Sequence, residues 1–414
     1  KIIAGSNNEI YMSLENMYLT SNMYTAYDFT CPAWGGCFMP FYHRGENTLI
    51  HKMNIDRNTL TYDTSTIVPG NPLTQYSMDE NKWYFRILTQ HWYPERSTSL
   101  YILDSDLELA GSLTDLWKTE DFKSSRFIGD KLFLVTFEQI DPFFAIDVAD
   151  PTNPKVLGEL KIPGFSSYLH PYDENHIIGL GQGTEEASWG GTRVDWLKVD
   201  LYEINYDKKC GDTNLTAEEV EKCASGDYKW IIVKQKHSLG LGEQWSYSEA
   251  LYNPRMFIWN QQKQLLLLPV QLYKNWDSVD EYRRTDFFQW LSLISIDKNA
   301  WIAEKGRISH IDTSSMEAER TKECSKYSNS TEPVCKKLIG WWEYCGTSRN
   351  SYVPTYCYVD ASLWEYIAAK SWNFQKSFVK RALYIWDSVV SVSDEKLQTN
   401  NINSLELTGS VEMK

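Results

Sequence analysis

The chain has 414 residues, 42% of them hydrophobic and 14% aromatic, so it can bury a large core along its whole length and is no disordered tail. A formal net charge of −14 excludes general electrostatic attraction to nucleic acid or anionic lipid. No run approaches the ~18 apolar residues of a membrane span, and stretches such as Leu265–Val270 are far too short.

From the N-terminus onward, short runs alternate apolar and polar residues between polar turns, with no long stretch of helical period, which predicts an all-β chain. One plan recurs six times. Each unit opens with a hairpin: Glu9–Thr20 turning near Glu15-Asn16, Gln75–Leu88 turning at Asp79–Asn81, and Ser125–Phe137 turning at Gly129-Asp130. The later three are Tyr168–Leu180 turning at Asp173–Asn175, Arg255–Gln271 turning at Asn260–Lys263, and Ala382–Val392 turning at Asp387-Ser388. Third strands end on acidic or amide turns in Leu49–Asp56, Leu100–Asp104, Phe143–Asp147, Val199–Asn205 and Leu291–Asp297, with a degenerate sixth copy at Lys396–Asn403. Fourth strands follow in Leu60–Val68, Leu107–Leu113, Lys155–Ile162, Lys229–His237, Trp301–Ser309 and Leu405–Met413. Repeated four-stranded units predict a β-propeller, because stacking each blade between neighbours buries both of its faces.

The expected organisation is a single β-propeller domain over 1–414, with about six blades in this chain and insertions at 30–47, 207–227, 275–285 and 312–377. The eight cysteines fall into neighbours: Cys31 with Cys37, Cys210 with Cys223, Cys324 with Cys335, and Cys345 with Cys357. An even count in local pairs reads as disulfides, whereas zinc needs clustered ligand spacings that are absent here. The sequons Asn214-Leu-Thr and Asn329-Ser-Thr lie in or beside these loops, as glycosylation sites of an exported protein would. The expected location is therefore secreted, extracellular or at the cell surface.

Several constellations bear on chemistry. His170, Asp173 and His176 fall within seven residues and are weak metal candidates; their spacing across a hairpin turn favours strand-end histidines. Asp104, Asp147, Asp150 and Asp297 end strands, so calcium is the one cofactor left open, although Asp at such positions ordinarily caps its own turn. Arg126 and Asp141 read as a structural ion pair. Gly179-Leu-Gly-Gln-Gly, with no helix after it to help bind phosphate, reads as a turn. No nucleophile elbow or reactive cysteine marks an enzyme. Trp34, Trp341, Trp342, Tyr344, Tyr352 and Tyr356, all in insertions, are candidates for a binding platform, or else form the small cores of the clipped loops.

The stretch Ser125–Gly181, which contains RFIGDKLFLVTFEQIDPFFAIDVADPTNPKVLGELKIPGF, resembles secreted proteins that carry a C-terminal β-propeller domain distantly related to WD repeats. Ala4–Tyr18, Gln75-Tyr-Ser-Met-Asp-Glu, Tyr84-Phe-Arg-Ile and the closing KRALYIWDSVVSVSD are similar to that family too. The resemblance implies a propeller outside the cell. The chain departs from the family in lacking the usual upstream blades and in its cysteine-bearing insertions.

The function expected from these readings is binding or structural assembly, with disulfide-clipped loops presented to protein or glycan partners. The alternative is a secreted hydrolase with its site in the central channel. Lys1–Ala4 reads as the end of a fourth strand from a preceding blade. The chain would then be an arc of a seven- or eight-bladed ring, completed by a second polypeptide such as the N-terminal part of the same precursor; a self-closed six-bladed ring is the alternative.

Overall fold

Alternating runs become strands because successive side chains point to opposite faces of a sheet. In the run Asn47–Asp56, Thr48, Ile50 and Lys52 are buried while Leu49 and His51 are only partly so. A computed structural model describes residues 7–23, 47–92, 95–137, 141–162, 164–186, 192–205, 208, 210–224, 233–276, 284–311 and 376–413. Its strands form six four-stranded antiparallel sheets, each using its strands in chain order. The fold is all-β with six blades, as the repeated pattern predicts.

The first sheet comprises β1 (Asn7–Met12), β2 (Asn16–Met23), β3 (Asn47–Asp56) and β4 (Thr59–Pro69). The second has β5 (Met78–Asn81), β6 (Tyr84–His91), β7 (Ser97–Leu103) and β8 (Leu109–Leu116). The third has β9 (Asp121–Ile128), β10 (Lys131–Phe137), β11 (Asp141–Asp147) and β12 (Lys155–Ile162). The fourth has β13 (Phe165–Asp173), β14 (His176–Glu186), β15 (Thr192–Ile204) and β16 (Val233–Leu241). The fifth has β17 (Ile258–Asn260), β18 (Leu265–Trp276), β19 (Arg284–Ile296) and β20 (Ile302–Ile308). The sixth has β21 (Arg381–Ile385), β22 (Ser388–Val392), β23 (Lys396–Asn401) and β24 (Leu407–Glu412).

The described residues group into two compact units. One is drawn from Lys1–Gly181, Glu186–Thr192 and Leu201–Lys236, the other from Gln182–Glu185, Arg193–Asp200 and His237–Lys414. In the first unit, Tyr18, Ile50 and Phe85 pack between sheets one and two, with the Tyr18 and Phe85 rings stacked at 3.9 Å. Leu100, Leu134 and Phe144 pack between sheets two and three, and Phe133, Phe143, Leu169 and Tyr202 between sheets three and four. In the second unit, Leu267, Leu291, Leu293, Val379 and Val389 join sheets five and six. Each such side chain stabilises the fold by roughly 1.5–3 kcal/mol through the water it leaves.

Opening hairpins of neighbouring sheets are clasped alike in each unit. Lys82 Nζ meets Asp130 Oδ2 at 2.8 Å, and Lys263 Nζ meets Asp387 Oδ1 at 2.7 Å. Exposed pairs of this kind add little energy, so their contribution is to alignment.

The structure moves several expected boundaries. The second hairpin turns at Lys82-Trp83 and not at Asp79–Asn81, with φ of 51° and 73°, because Asp79 is held by Arg86 while Asn81 bonds the next hairpin through Gly129. Two left-handed residues without Gly or Asn leave little for sequence reading to find. The sixth hairpin likewise turns at Trp386-Asp387, one residue early, with Trp386 at φ 53°. The fourth strand of unit four runs Val233–Leu241, later than expected, and the third strand of unit six is regular. Residues Asn275, Trp276, Arg284 and Thr285 of the 275–285 insertion belong to the β18–β19 ladder.

Gly179-Leu-Gly-Gln-Gly is no turn; it lies inside β14. Its three glycines alternate along the strand, and a Cβ on Gly179 or Gly181 would strike Ser166 Oγ or the Phe165 carbonyl. A Cβ on Gly183 would strike the Trp196 ring. The 207–227 insertion holds a helix, α1 (Ala217–Ala224), which the β pattern does not anticipate. Lys1–Ala4 lies outside the described residues.

Candidate functional site: a cavity along the first strands

The first strands of sheets one, three and four share one side of the first unit with the 3-10 turn Gln75–Ser77, which precedes β5. Thr74 caps this turn, its Oγ1 accepting from Tyr76 N at 3.2 Å. Ser125 Oγ on β9 then meets the Tyr76 carbonyl and Ser77 Oγ, both at 3.3 Å, while Ser124 Oγ donates to the Ser166 carbonyl of β13 at 2.5 Å. These hydroxyls fix β9 between its neighbours.

Between β1, the 3-10 turn and β9 lies a cavity of about 490 Å³, lined by Tyr11, Gln75, Tyr76, Asp79, Arg126 and Phe127 among others. Asp79 is neutralised by Arg86, whose Nη1 donates to the Gly129 carbonyl at 2.9 Å and whose guanidinium covers the Phe127 ring at 4.9 Å. Tyr11 Oη accepts from Glu80 N at 3.1 Å, and burial pushes its phenol up. Burial also raises Glu9, against the Gln75 N–H, and Glu80 accepts from Asn16 Nδ2 at 2.6 Å.

Arg126 faces this space differently. Its guanidinium lies 4.5 Å above the Tyr76 ring, which meets the Tyr168 ring edge-on at 5.6 Å. Tyr168 Oη is 3.2 Å from His170 Nδ1. Burial, reinforced by the Arg126 charge, brings His170 down to about 4, and burial lifts Tyr168 to about 12. Both are neutral at pH 7, so Arg126 is the charged member of the group.

The three metal candidates are divided. His170 joins Tyr168, while His176 and Asp173 meet at the next turn, Nδ1 to Oδ1 at 2.7 Å. His176 Nε2 lies 3.8 Å from Glu203 Oε1, which also receives Lys236 Nζ at 3.3 Å. Among the described residues no three His, Cys, Asp or Glu side chains converge as a metal site would require. The rim carboxylates bond their own turns: Asp104 Oδ1 accepts from Asp106 N and Glu108 N, Asp147 Oδ1 from Ala149 N, Asp150 Oδ1 from Thr152 N, and Asp297 Oδ1 from Asn299 N. Arg126 stacks on Tyr76, and the Asp141 side chain lies outside the described residues. So do Trp34, Trp341, Trp342, Tyr344, Tyr352, Tyr356, Asn329, and the cysteines Cys31, Cys37, Cys324, Cys335, Cys345 and Cys357.

The 207–227 insertion holds a second organised group of side chains. Cys210 and Cys223 form the expected disulfide, and Asn214 beside it is exposed. Thr216 and Glu219 cap α1 reciprocally: Thr216 N donates to Glu219 Oε2 at 2.8 Å and Glu219 N to Thr216 Oγ1 at 3.3 Å. The Thr-Ala-Glu-Glu spacing is the sequence signal for this helix. Glu219 is buried and receives Lys208 Nζ at 2.6 Å and Lys234 Nζ. Burial raises its carboxyl, but the two ammonium groups and the Thr216 N–H outweigh burial and bring it down to about 2. A folded-state value below the ordinary 4.5 gives stability that is complete above pH 4.5 and is lost as pH falls toward about 2. Melting temperature followed across that window should fall less steeply for Glu219→Gln than for the wild-type chain. Parallel acid limbs would show that Glu219 does not drive the loss.

The comparisons with known proteins agree with the blade architecture. A family profile described as "Beta propeller domain" matches residues 1–217 and 229–338. An uncharacterised protein of Methanocaldococcus jannaschii is 36% identical over 228 residues, covering 54% of this chain and 31% of that protein. Another, from Archaeoglobus fulgidus, is 35% identical over 237 residues, covering 55% and 32%. The chain thus spans about a third of the length of these curated relatives. Among solved structures, a europium-containing methanol dehydrogenase aligns over 98% of this chain and 78% of its own at 7% identity and a TM-score of 0.35, a likeness too low to build on.

Proposed function

The chain belongs to the Beta propeller domain family, and from that premise we propose that it is an extracellular binding or assembly scaffold presenting disulfide-clipped loops to protein or glycan partners. The observation that carries this reading is the insertion closed by Cys210–Cys223, with exposed Asn214 beside a capped helix. Disulfides persist in oxidising compartments, and a sequon is useful only on an exported surface. A clipped helix also loses little freedom on binding, which favours affinity.

In this proposal Trp34, Trp341, Trp342, Tyr344, Tyr352 and Tyr356 supply the contact area, since such rings combine apolar surface with a polar edge. The remaining blades of a seven- or eight-bladed ring come from a second polypeptide, most simply the N-terminal part of the same precursor.

The test uses protein recovered from its own source. Export predicts a Cys210–Cys223 linked peptide in a non-reducing digest and recovery from the medium or cell surface; a glycan on Asn214 is expected where the source glycosylates. Native mass should exceed the chain's 48.2 kDa by that of an associated polypeptide. Retention on immobilised glycans should drop at least tenfold in the Trp341→Ala/Trp342→Ala variant. Free thiols at Cys210 and Cys223 in freshly isolated protein would refute export, and unchanged retention would refute the contact role.

A further inference from the structure

We propose that the first-strand cavity is a binding site for a small carboxylate with an apolar body, the carboxylate gripped by Arg126 and the body laid along Tyr76 and Phe127. This goes beyond the scaffold reading and does not depend on export or on the insertions.

The geometry carries the case. A guanidinium has five N–H donors around its edge, and stacking on an aromatic ring engages its flat face. Arg126 is stacked on Tyr76 at 4.5 Å, and no described residue accepts a hydrogen bond or forms an ion pair with it. Its planar edge is therefore available for a two-oxygen acceptor, which a carboxylate matches bidentately.

The surroundings favour an anion there more than the chain's overall charge of −14 suggests. Of the nearby carboxylates Asp79 is paired with Arg86, while Glu9 and Glu80 are not among the residues that line the cavity. Tyr168 and His170, from β13, stand beside Arg126 as neutral groups at pH 7. At physiological salt, charges more than about 8 Å away are largely screened, so the local cation decides.

The cavity also asks for more than a bare ion. Its volume of about 490 Å³ is many times that of a carboxylate group, and Ile10, Met12, Met78 and Phe127 line it together with the rings of Tyr11 and Tyr76. Such apolar walls reward a hydrocarbon or aromatic body, and a few polar groups orient its head.

Calorimetric titration of the intact chain at pH 7 and 0.15 M salt, about physiological ionic strength, tests this with 3-phenylpropionate, its uncharged amide, and acetate. Saturable uptake of 3-phenylpropionate is expected, with the amide and acetate each at least tenfold weaker. The Arg126→Gln variant should lose at least tenfold in affinity while its melting temperature stays within a few degrees. Arg126→Lys keeps the charge without the planar fork and should lie between the two, and it also serves if the glutamine variant misfolds. Absence of saturable uptake, equal affinity for acid and amide, or unaltered binding in a folded Arg126 variant would overturn the proposal. Equal affinity for acetate would overturn it as well, because the apolar body would then contribute nothing.

Discussion

Replacing Lys198 with methionine is expected to cost about 3–5 kcal/mol of folding stability, the range for breaking one side of a buried ion pair. Lys198 and Asp200 lie two residues apart on β15, hence on one face of the strand, with Nζ and Oδ2 3.0 Å apart. Their side chains are 2% and 0% exposed, so water screens neither. Ser238 Oγ donates to Asp200 Oδ1 at 2.6 Å, which a hydroxyl can do but which does not replace a counter-charge. Without the ammonium the buried Asp200 carboxylate loses the counter-charge 3.0 Å away, which raises the cost of keeping it out of water. Removing both charges avoids that penalty, and a well-packed apolar pair can equal an ion pair in stability. The double variant Lys198→Met/Asp200→Leu should therefore be more stable than Lys198→Met alone, an order that additivity excludes when Asp200→Leu by itself is destabilising. Urea denaturation of the wild-type chain, both single variants and the double variant measures it. A single-variant loss below about 1 kcal/mol, in the range of an exposed pair, would show that the pair is effectively solvated.

A comparably large loss is expected for Gly181→Ala, about 3 kcal/mol or more, at or beyond the upper end of ordinary overpacking. A Cβ on Gly181 would overlap the Phe165 carbonyl oxygen and sit 2.7 Å from Ser166 Cα. These are backbone atoms of the adjacent strand β13, so no rotamer change relieves the clash. Nor is β13 free to withdraw, because its Ser166 carbonyl accepts from Ser124 Oγ and its Ser166 Oγ meets Tyr202 Oη at 2.9 Å. The two strands would have to part, breaking ladder hydrogen bonds along their length. Gly129→Ala is the control, since Gly129 has φ +55° with nothing within 4 Å of a Cβ. Its cost is only that of a left-handed alanine, about 1–2 kcal/mol. Thermal unfolding of both variants should place Gly181→Ala well below Gly129→Ala; the reverse order would mean that β13 and β14 can separate cheaply.

Determined by sequence alone were the features that depend on near neighbours. Strand alternation is a two-residue property, and so the six blades are legible from end to end. The Gly129-Asp130 turn and the Cys210–Cys223 link are local as well, one resting on glycine's freedom at positive φ and the other on a separation of 13 residues. The capping pair Thr216 and Glu219 is equally local, although its helix interrupts a β pattern. Tertiary structure alone decided the rest. Lys82 and Trp83 turn a hairpin because Asp79 and Asn81 are held elsewhere, and the glycines of β14 are there to admit Phe165, Ser166, Tyr202 and Trp196. The Arg126 cavity joins residues from the first, second and third sheets with the turn before the second, and Tyr168 of the fourth sheet meets Tyr76 beside it. Tyr11, Tyr76, Arg126 and Tyr168 lie tens of residues apart in the chain, where no residue pattern records their proximity. Stacking of one blade on the next is what brings them together, and it acts through buried contacts that local chemistry does not encode.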